Sequence, residues 1–337
     1  DSVVVALVSL LTPDEVSKLW YPLVEWLKTR AAALEAAGEG EFDIVWNKVL
    51  EAAALHPSGY KQKPSRDWSF ESINAVVGRL VEALLETDVP EGQTAPPKLW
   101  ISRLTKALEV PEDHGRHALY VISRNAQWFY HHEPDWARRY LLAKAIPEGP
   151  DADAFWSGLA GTQYILPKNL LSELKASMLN RVIAGVKNED NLVGFLVAGW
   201  GDPDFDQLVS DTELRDLLIL GGDQVRSRVL RTFQDWSETS PDWQNLIVPF
   251  LTRVWPRQRT SKSPAITSAL ISLASSQPNQ FAAIMAVVQA RLVPLSRDDH
   301  FYLECEVGDL DAAGVDALLA ALGAMLPAER ANWPHEG

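Results

Sequence analysis

Apolar residues recur at every third or fourth position along most of this chain, and strand-like alternation is nearly absent. That spacing matches one face of an α-helix, where residues three and four apart lie above one another. From Pro13 onward, Val16, Leu19, Trp20, Leu23, Val24, Leu27, Ala31 and Leu34 form one stripe, with Asp14, Lys18, Glu25 and Lys28 opposite it. Leu170, Leu171, Leu174, Met178, Val182 and Val186 form a second, and Val225, Val229, Leu230 and Phe233 a third. Each stripe requires a neighbour to cover it, because burial stabilises by about 25 cal/mol per Å2 of apolar area.

Helix-start signals repeat in step with the stripes. Thr12-Pro13-Asp14-Glu15 and Ser210-Asp211-Thr212-Glu213 read as capping boxes, in which hydroxyl and carboxylate each take a backbone N–H left free at the helix start. Ser240-Pro241, Ser263-Pro264 and Gln277-Pro278 place proline at a first helical position, and Pro134 and Pro167 are read the same way. Pro22 and Pro249 interrupt helical patterns and are expected to kink them, whereas Pro256 and Pro294 read as stops. The fold class is therefore all-α: a HEAT-like solenoid of antiparallel helix pairs, or an irregular multi-helix bundle. Polar stretches at His56 to Arg66, Thr87 to Pro97 and Ile146 to Asp151 read as breaks. They divide the chain into an N-terminal helical segment, 1–95, and a main helical domain, 96–337.

Charge and cysteine usage narrow the function classes. A net charge of −14 disfavours nonspecific attraction to phosphate backbones or anionic lipid. The single cysteine, Cys305, excludes an internal disulfide and a cysteine-based zinc cluster, and fits a reducing cytoplasm. No apolar run approaches the roughly 20 residues that span a bilayer. Val3 to Leu11 is apolar but lacks the basic lead and cleavage site of a signal peptide. With no initiator Met, it reads as a helix continuing from a missing partner domain.

Each candidate site has a plainer role beside its functional one. Gly38-Glu39-Gly40 and Gly221-Gly222 follow no strand and carry no nucleotide fingerprint, so they read as helix stops. His114 and His117 lie three apart, with His131 and His132 farther along; imidazoles so spaced can share a metal. The His-Glu-x-x-His base is missing, and the adopted reading is an exposed helix with histidines at its C-terminal end. Asp202, Asp204, Asp206, Ser210 and Glu213 fit five positions of a calcium loop, but Gln207 stands where the template demands glycine. The capping box explains Ser210 and Glu213 better. Cys305 has no positioned base, and no ordered nucleophile, base and acid set is visible. Trp20, Trp156 and Trp236 read as core, and Trp333 as exposed. Arg253, Trp255, Arg257, Arg259 and Lys262 form the basic cluster, with no acid between Arg253 and Lys262. Arginine beside an aromatic can grip phosphate or stack on bases. This segment is the candidate contact surface, its plainer role being a solvated loop between helices.

A run of segments in fixed order extends the reading: Asp153-Ala154-Phe155-Trp156-Ser157-Gly158, Ser210-Asp211-Thr212-Glu213-Leu214-Arg215, Arg226-Ser227-Arg228-Val229-Leu230, and Val254-Trp255-Pro256-Arg257-Gln258 through Ser263-Pro264. This order resembles the C-terminal helical region, of unknown function, that lies behind sirtuin-like domains in bacterial antiphage defence proteins. The likeness covers roughly residues 151–294. In such proteins the sirtuin-like domain consumes NAD, and the helical remainder is thought to sense phage components or assemble the complex. The resemblance carries over no catalytic residue and no cofactor. It implies a non-catalytic scaffold or sensor in a larger chain or oligomer, with a protein partner: a phage component, an attached effector domain or a second copy. The alternative is a nucleic-acid scaffold using residues 253–262.

Overall fold

The computed structural model describes residues 1–37, 40–59, 66–87, 96–146, 148–162, 164–185, 190–295 and 302–326. Among them every regular element is a helix. None is long and apolar enough to cross a membrane. The described residues fall into two compact units, 1–170 and 171–337. Residue 95, where the sequence places a division, lies outside the described residues, and helices on both sides of it belong to the first unit.

The first unit begins with α1 (Ser2–Leu10), α2 (Pro13–Ala37), α3 (Glu41–Leu55), α4 (Trp68–Asn74) and α5 (Val76–Leu85). It continues with α6 (Lys98–Leu108), α7 (Glu112–Ser123), α8 (Ala126–His132) and α9 (Pro134–Ala137). A π-helical turn over Arg138–Leu142, α10 (Ala143–Ala145) and α11 (Pro150–Ala160) complete it. The Thr12 box forms: the Thr12 amide donates to Glu15 at 2.8 Å, and the Glu15 amide donates to the Thr12 hydroxyl at 3.4 Å. α2 runs on through Pro22.

Helix α7 is the centre, packed on α4, α5, α6 and α11. The run Ala118-Leu119-Tyr120-Val121-Ile122 is buried on every side, the mark of a core helix. Close approach to α11 depends on Gly158, where a Cβ would lie 2.4 Å from the Tyr120 carbonyl oxygen. The break before α11 depends on Gly149, at φ +121°, which leads into Pro150 at the first helical position.

Two arginines cross-link helices of this unit. Arg103 of α6 is 2% exposed and grips both carboxylate oxygens of Asp43 on α3 at 2.9 and 3.0 Å. It also pairs with Glu35 of α2, and its guanidinium lies 4.1 Å over the Phe42 ring. Arg66 joins Glu71 of α4 to Asp113 of α7, the latter at 2.8 Å, with the Trp68 ring 4.1 Å beneath it.

The second unit contains α12 (Lys168–Ile183, beginning just before the division), α13 (Asp190–Gly201), α14 (Asp211–Leu220) and α15 (Gly222–Ser237). It goes on with α16 (Pro241–Arg253), α17 (Pro264–Ser275), α18 (Phe281–Val288) and α19 (Ala312–Met325). Here α15 is the hub, packed on α13, α14, α16 and α17. Proline occupies the first position of α16 and α17, and the Ser263 hydroxyl caps the Ile266 amide at 3.2 Å. An aromatic cluster fills the space between helices: Phe233 stacks on Phe250 at 4.4 Å, with Trp200, Trp243 and Trp255 set edge-on around them.

Candidate functional site

The basic segment leaves α16 at Arg253, where the last turn presents carbonyls that lack intrahelical partners. Cations collect on them. Arg257 reaches the Thr252 carbonyl at 3.4 Å, and Arg291 reaches the Leu251 carbonyl at 2.9 Å. Arg215, from α14, donates to the carbonyl of Arg253. The Arg253 side chain turns back to Asp211, with Nε and Nη2 at 3.0 and 2.8 Å from one carboxylate oxygen. Lys262 performs the same service for the turn after α18, donating to the Ala290 carbonyl at 2.6 Å. Positive charge at a helix C-terminus is stabilising, so much of this cluster serves to close helices.

Trp255 lies beneath the segment, only 2% exposed, with its ring edge-on to Phe250 at 5.9 Å. It is a core residue and presents no face on which a base could stack. Arg257 and Arg259 remain on the surface, the latter in a 3-10 turn, Arg259–Ser261. Arg215, Arg291 and Asp211 belong to the same constellation but lie 38 to 42 residues from their partners in sequence, so nothing local announces them.

The histidines are placed differently from the exposed helix expected of them. His114 and His117 are 2% and 0% exposed on the buried helix α7. His114 Nε2 sits 3.0 Å from the His56 carbonyl oxygen. His117 lies edge-on to Trp68, with Glu71 4.0 Å away. His131 and His132, at the end of α8, contact each other at 4.6 Å between ring centroids, and His132 leans on Trp128. The described residues contain no group of three or more His, Cys, Asp or Glu side chains arranged to hold a metal ion.

Burial, followed by the nearby His114 and Arg66 charges, pushes His117 down to about 3, and burial also lowers His114. An unfolded histidine takes up its proton near pH 6.5. Between pH 6.5 and about 3 the unfolded chain therefore binds more protons at this position, and stability falls as pH falls. Urea midpoints measured across that window should drop with acidification, and His117→Gln should flatten the drop. An unchanged slope in the variant would contradict this account.

The acidic loop is organised by local capping. Asp202 accepts from the Asp204 amide at 2.9 Å, and Asp206 and Gln207 both make the left-handed turn at φ +51° without glycine. The Ser210 and Glu213 box forms in both directions, and Glu213 also pairs with Lys175 at 2.6 Å. Ser210→Ala should cost about 1 kcal/mol through the lost cap, measured by urea denaturation; no change would show that the box contributes nothing.

Burial, then Asp309, raises the Cys305 thiol, which lowers its thiolate fraction. Trp156 is buried, Trp20 and Trp236 are half-buried, and Trp333 lies outside the described residues.

Two clefts and a bare apolar face stand out among the described residues. A cleft of about 640 Å3 in the first unit is walled by Glu82, Trp100, Arg124, Trp128 and Tyr164. A groove of about 370 Å3 in the second unit lies along α15 and α17. The bare face belongs to α1. Its Val5 and Val8 are buried at 3% each, while Val3, Leu7 and Leu10 are 73%, 60% and 80% exposed. At spacings of four and three, these three share one side of the helix.

No family model matches the chain, and no solved structure matches it. An uncharacterised protein of Sinorhizobium fredii (strain NBRC 101917 / NGR234), y4cA, is 21% identical over 305 residues, covering 77% of this chain and 25% of that protein. The chain thus spans about a quarter of the length of this curated relative.

Proposed function

We propose that this chain is the helical scaffold or sensor region of a bacterial antiphage effector, acting in the cytoplasm by binding protein and without chemistry of its own. The observation that carries the protein-binding part is the outward face of α1, where Val3, Leu7 and Leu10 meet solvent together. Fully burying such a side chain is worth about 1.5–3 kcal/mol, so a protein surface laid over this face gains substantially. That surface belongs to a phage component, to an effector domain of the same polypeptide or to a second copy. The order of segments within 151–294 that resembles sirtuin-associated helical regions supplies the antiphage context.

The alternative, nucleic-acid binding through 253–262, draws on the exposed Arg257 and Arg259. It is weakened by the burial of Trp255, by the engagement of Arg253 with Asp211, and by the net charge of −14. The two readings separate when the chain and its Leu7→Asp/Leu10→Asp variant serve as bait in phage-infected and uninfected lysates. The proposal expects a discrete protein retained by the parent chain at moderate salt and lost by the variant. Nucleic acid recovered equally by both, and released as salt rises, would favour the alternative.

A further inference from the structure

The cleft of the first unit joins two opposite charges to an aromatic wall. Glu82 sits on α5, Trp100 on α6, Arg124 at the end of α7 and Trp128 on α8, and Tyr164 follows α11. All five line one space of about 640 Å3, to which Val121 and Phe129 add apolar surface. That volume lies within the range of small-molecule sites, which are mostly apolar with a few placed polar groups. Glu82 is half-buried, one helical turn before Glu86, and it is Glu86 that pairs with Lys28, at 2.8 Å. Burial raises the Glu82 carboxyl above its ordinary value, and the charges of Lys28 and Arg124 oppose the rise. An ammonium brought beside this carboxylate favours its charged form. In a partly desolvated position their attraction exceeds that in bulk water.

Arg124 brings the opposite chemistry to the same space. It is exposed, and its planar guanidinium can donate two parallel hydrogen bonds to a carboxylate. An organic cation alone would meet Arg124 as a like charge, and an anion alone would meet Glu82. A ligand that carries both charges answers both residues. Trp128 is half-buried and Tyr164 is 67% exposed, so each has ring surface to lay against an apolar group. We infer that this cleft binds a small zwitterion with an apolar side group, an amino acid or a short peptide with free ends. Its ammonium lies on Glu82, its carboxylate on Arg124 and its apolar group against Trp128 and Tyr164. The assignment stands apart from the α1 face and holds whether or not that face binds protein.

The test is calorimetric titration of the chain with phenylalanine, tryptophan, leucine and the dipeptide leucyl-phenylalanine. Phenethylamine, which lacks the carboxylate, and 3-phenylpropionate, which lacks the ammonium, are titrated beside them. At least one zwitterion should bind, with both single-charge analogues at least tenfold weaker. A tighter dipeptide assigns the site to peptide ends, and a tighter free amino acid to the monomer. Arg124→Gln should abolish the advantage of the zwitterion over phenethylamine, and Glu82→Gln its advantage over phenylpropionate. A merely structural role for either residue would not produce that split. Tyr164→Ala should weaken every ligand that binds. Circular dichroism and urea midpoints of Arg124→Gln and Tyr164→Ala should match the parent, since both residues are exposed. The assignment is overturned if all four zwitterions fail to bind at millimolar concentration. Binding of either single-charge analogue as tight as the best zwitterion, or unchanged affinity in Arg124→Gln, would overturn it equally.

Discussion

Replacing Arg103 by methionine should destabilise the first unit by about 2–3 kcal/mol, read as a lowered urea midpoint by circular dichroism. The stem of the side chain is retained, so the change isolates the guanidinium. Removing one partner of a buried ion pair typically costs about 3–5 kcal/mol, because the remaining charge is left without compensation. The expectation sits below that range because Glu35 and Asp43 keep 31% and 28% of their side-chain surface, and water recovers part of the loss. The contact over Phe42 goes with the guanidinium. A midpoint unchanged within about 0.5 kcal/mol would mean that α2, α3 and α6 are held by apolar packing alone.

Trp255→Ala should cost about 3–5 kcal/mol, the usual penalty for emptying a large aromatic site in a closed core. Arg257→Glu and Arg259→Glu, a few positions away, should each stay within about 0.5 kcal/mol, as exposed substitutions do. The contrast decides what the basic segment is. If Trp255 were a surface platform, its replacement would be as mild as the arginine changes and would instead impair ligand binding. Its ring lies against Phe250, which stacks on Phe233, so the cavity opens into the aromatic cluster of the second unit. The same urea titration, followed by tryptophan fluorescence, separates the two outcomes.

The helices were legible because their signals are local. Period, capping box and proline at the first position all act within one or two turns, and the Thr12 and Ser210 boxes and the prolines at 134, 241 and 264 all open helices. The role of Trp255 was not legible. Flanked by Arg253 and Arg257, it reads as a surface aromatic, but on irregular chain after a helix, neighbours two apart need not share an environment. For His114 and His117 a local signal exists: the run from Ala118 to Ile122 is apolar on every side, which marks a helix without a solvent face. The partners of Arg103 lie 60 and 68 residues away, and no local pattern reports a pairing at that distance. The π-helical turn over Arg138–Leu142 likewise has no signature that separates it from ordinary helix. The α1 face is an intermediate case, since an apolar run foretells a helix but says nothing of which side is covered.

The most direct test of the protein-binding account is hydroxyl-radical footprinting of the chain, free and in complex with the protein it captures. Val3, Leu7 and Leu10 are exposed in the free chain and should label readily there. The account predicts that labelling of these residues falls sharply in the complex, while labelling near Arg257 and Arg259 is unchanged. Protection over 253–262 with α1 labelled as before would contradict it and move the interface to the basic segment.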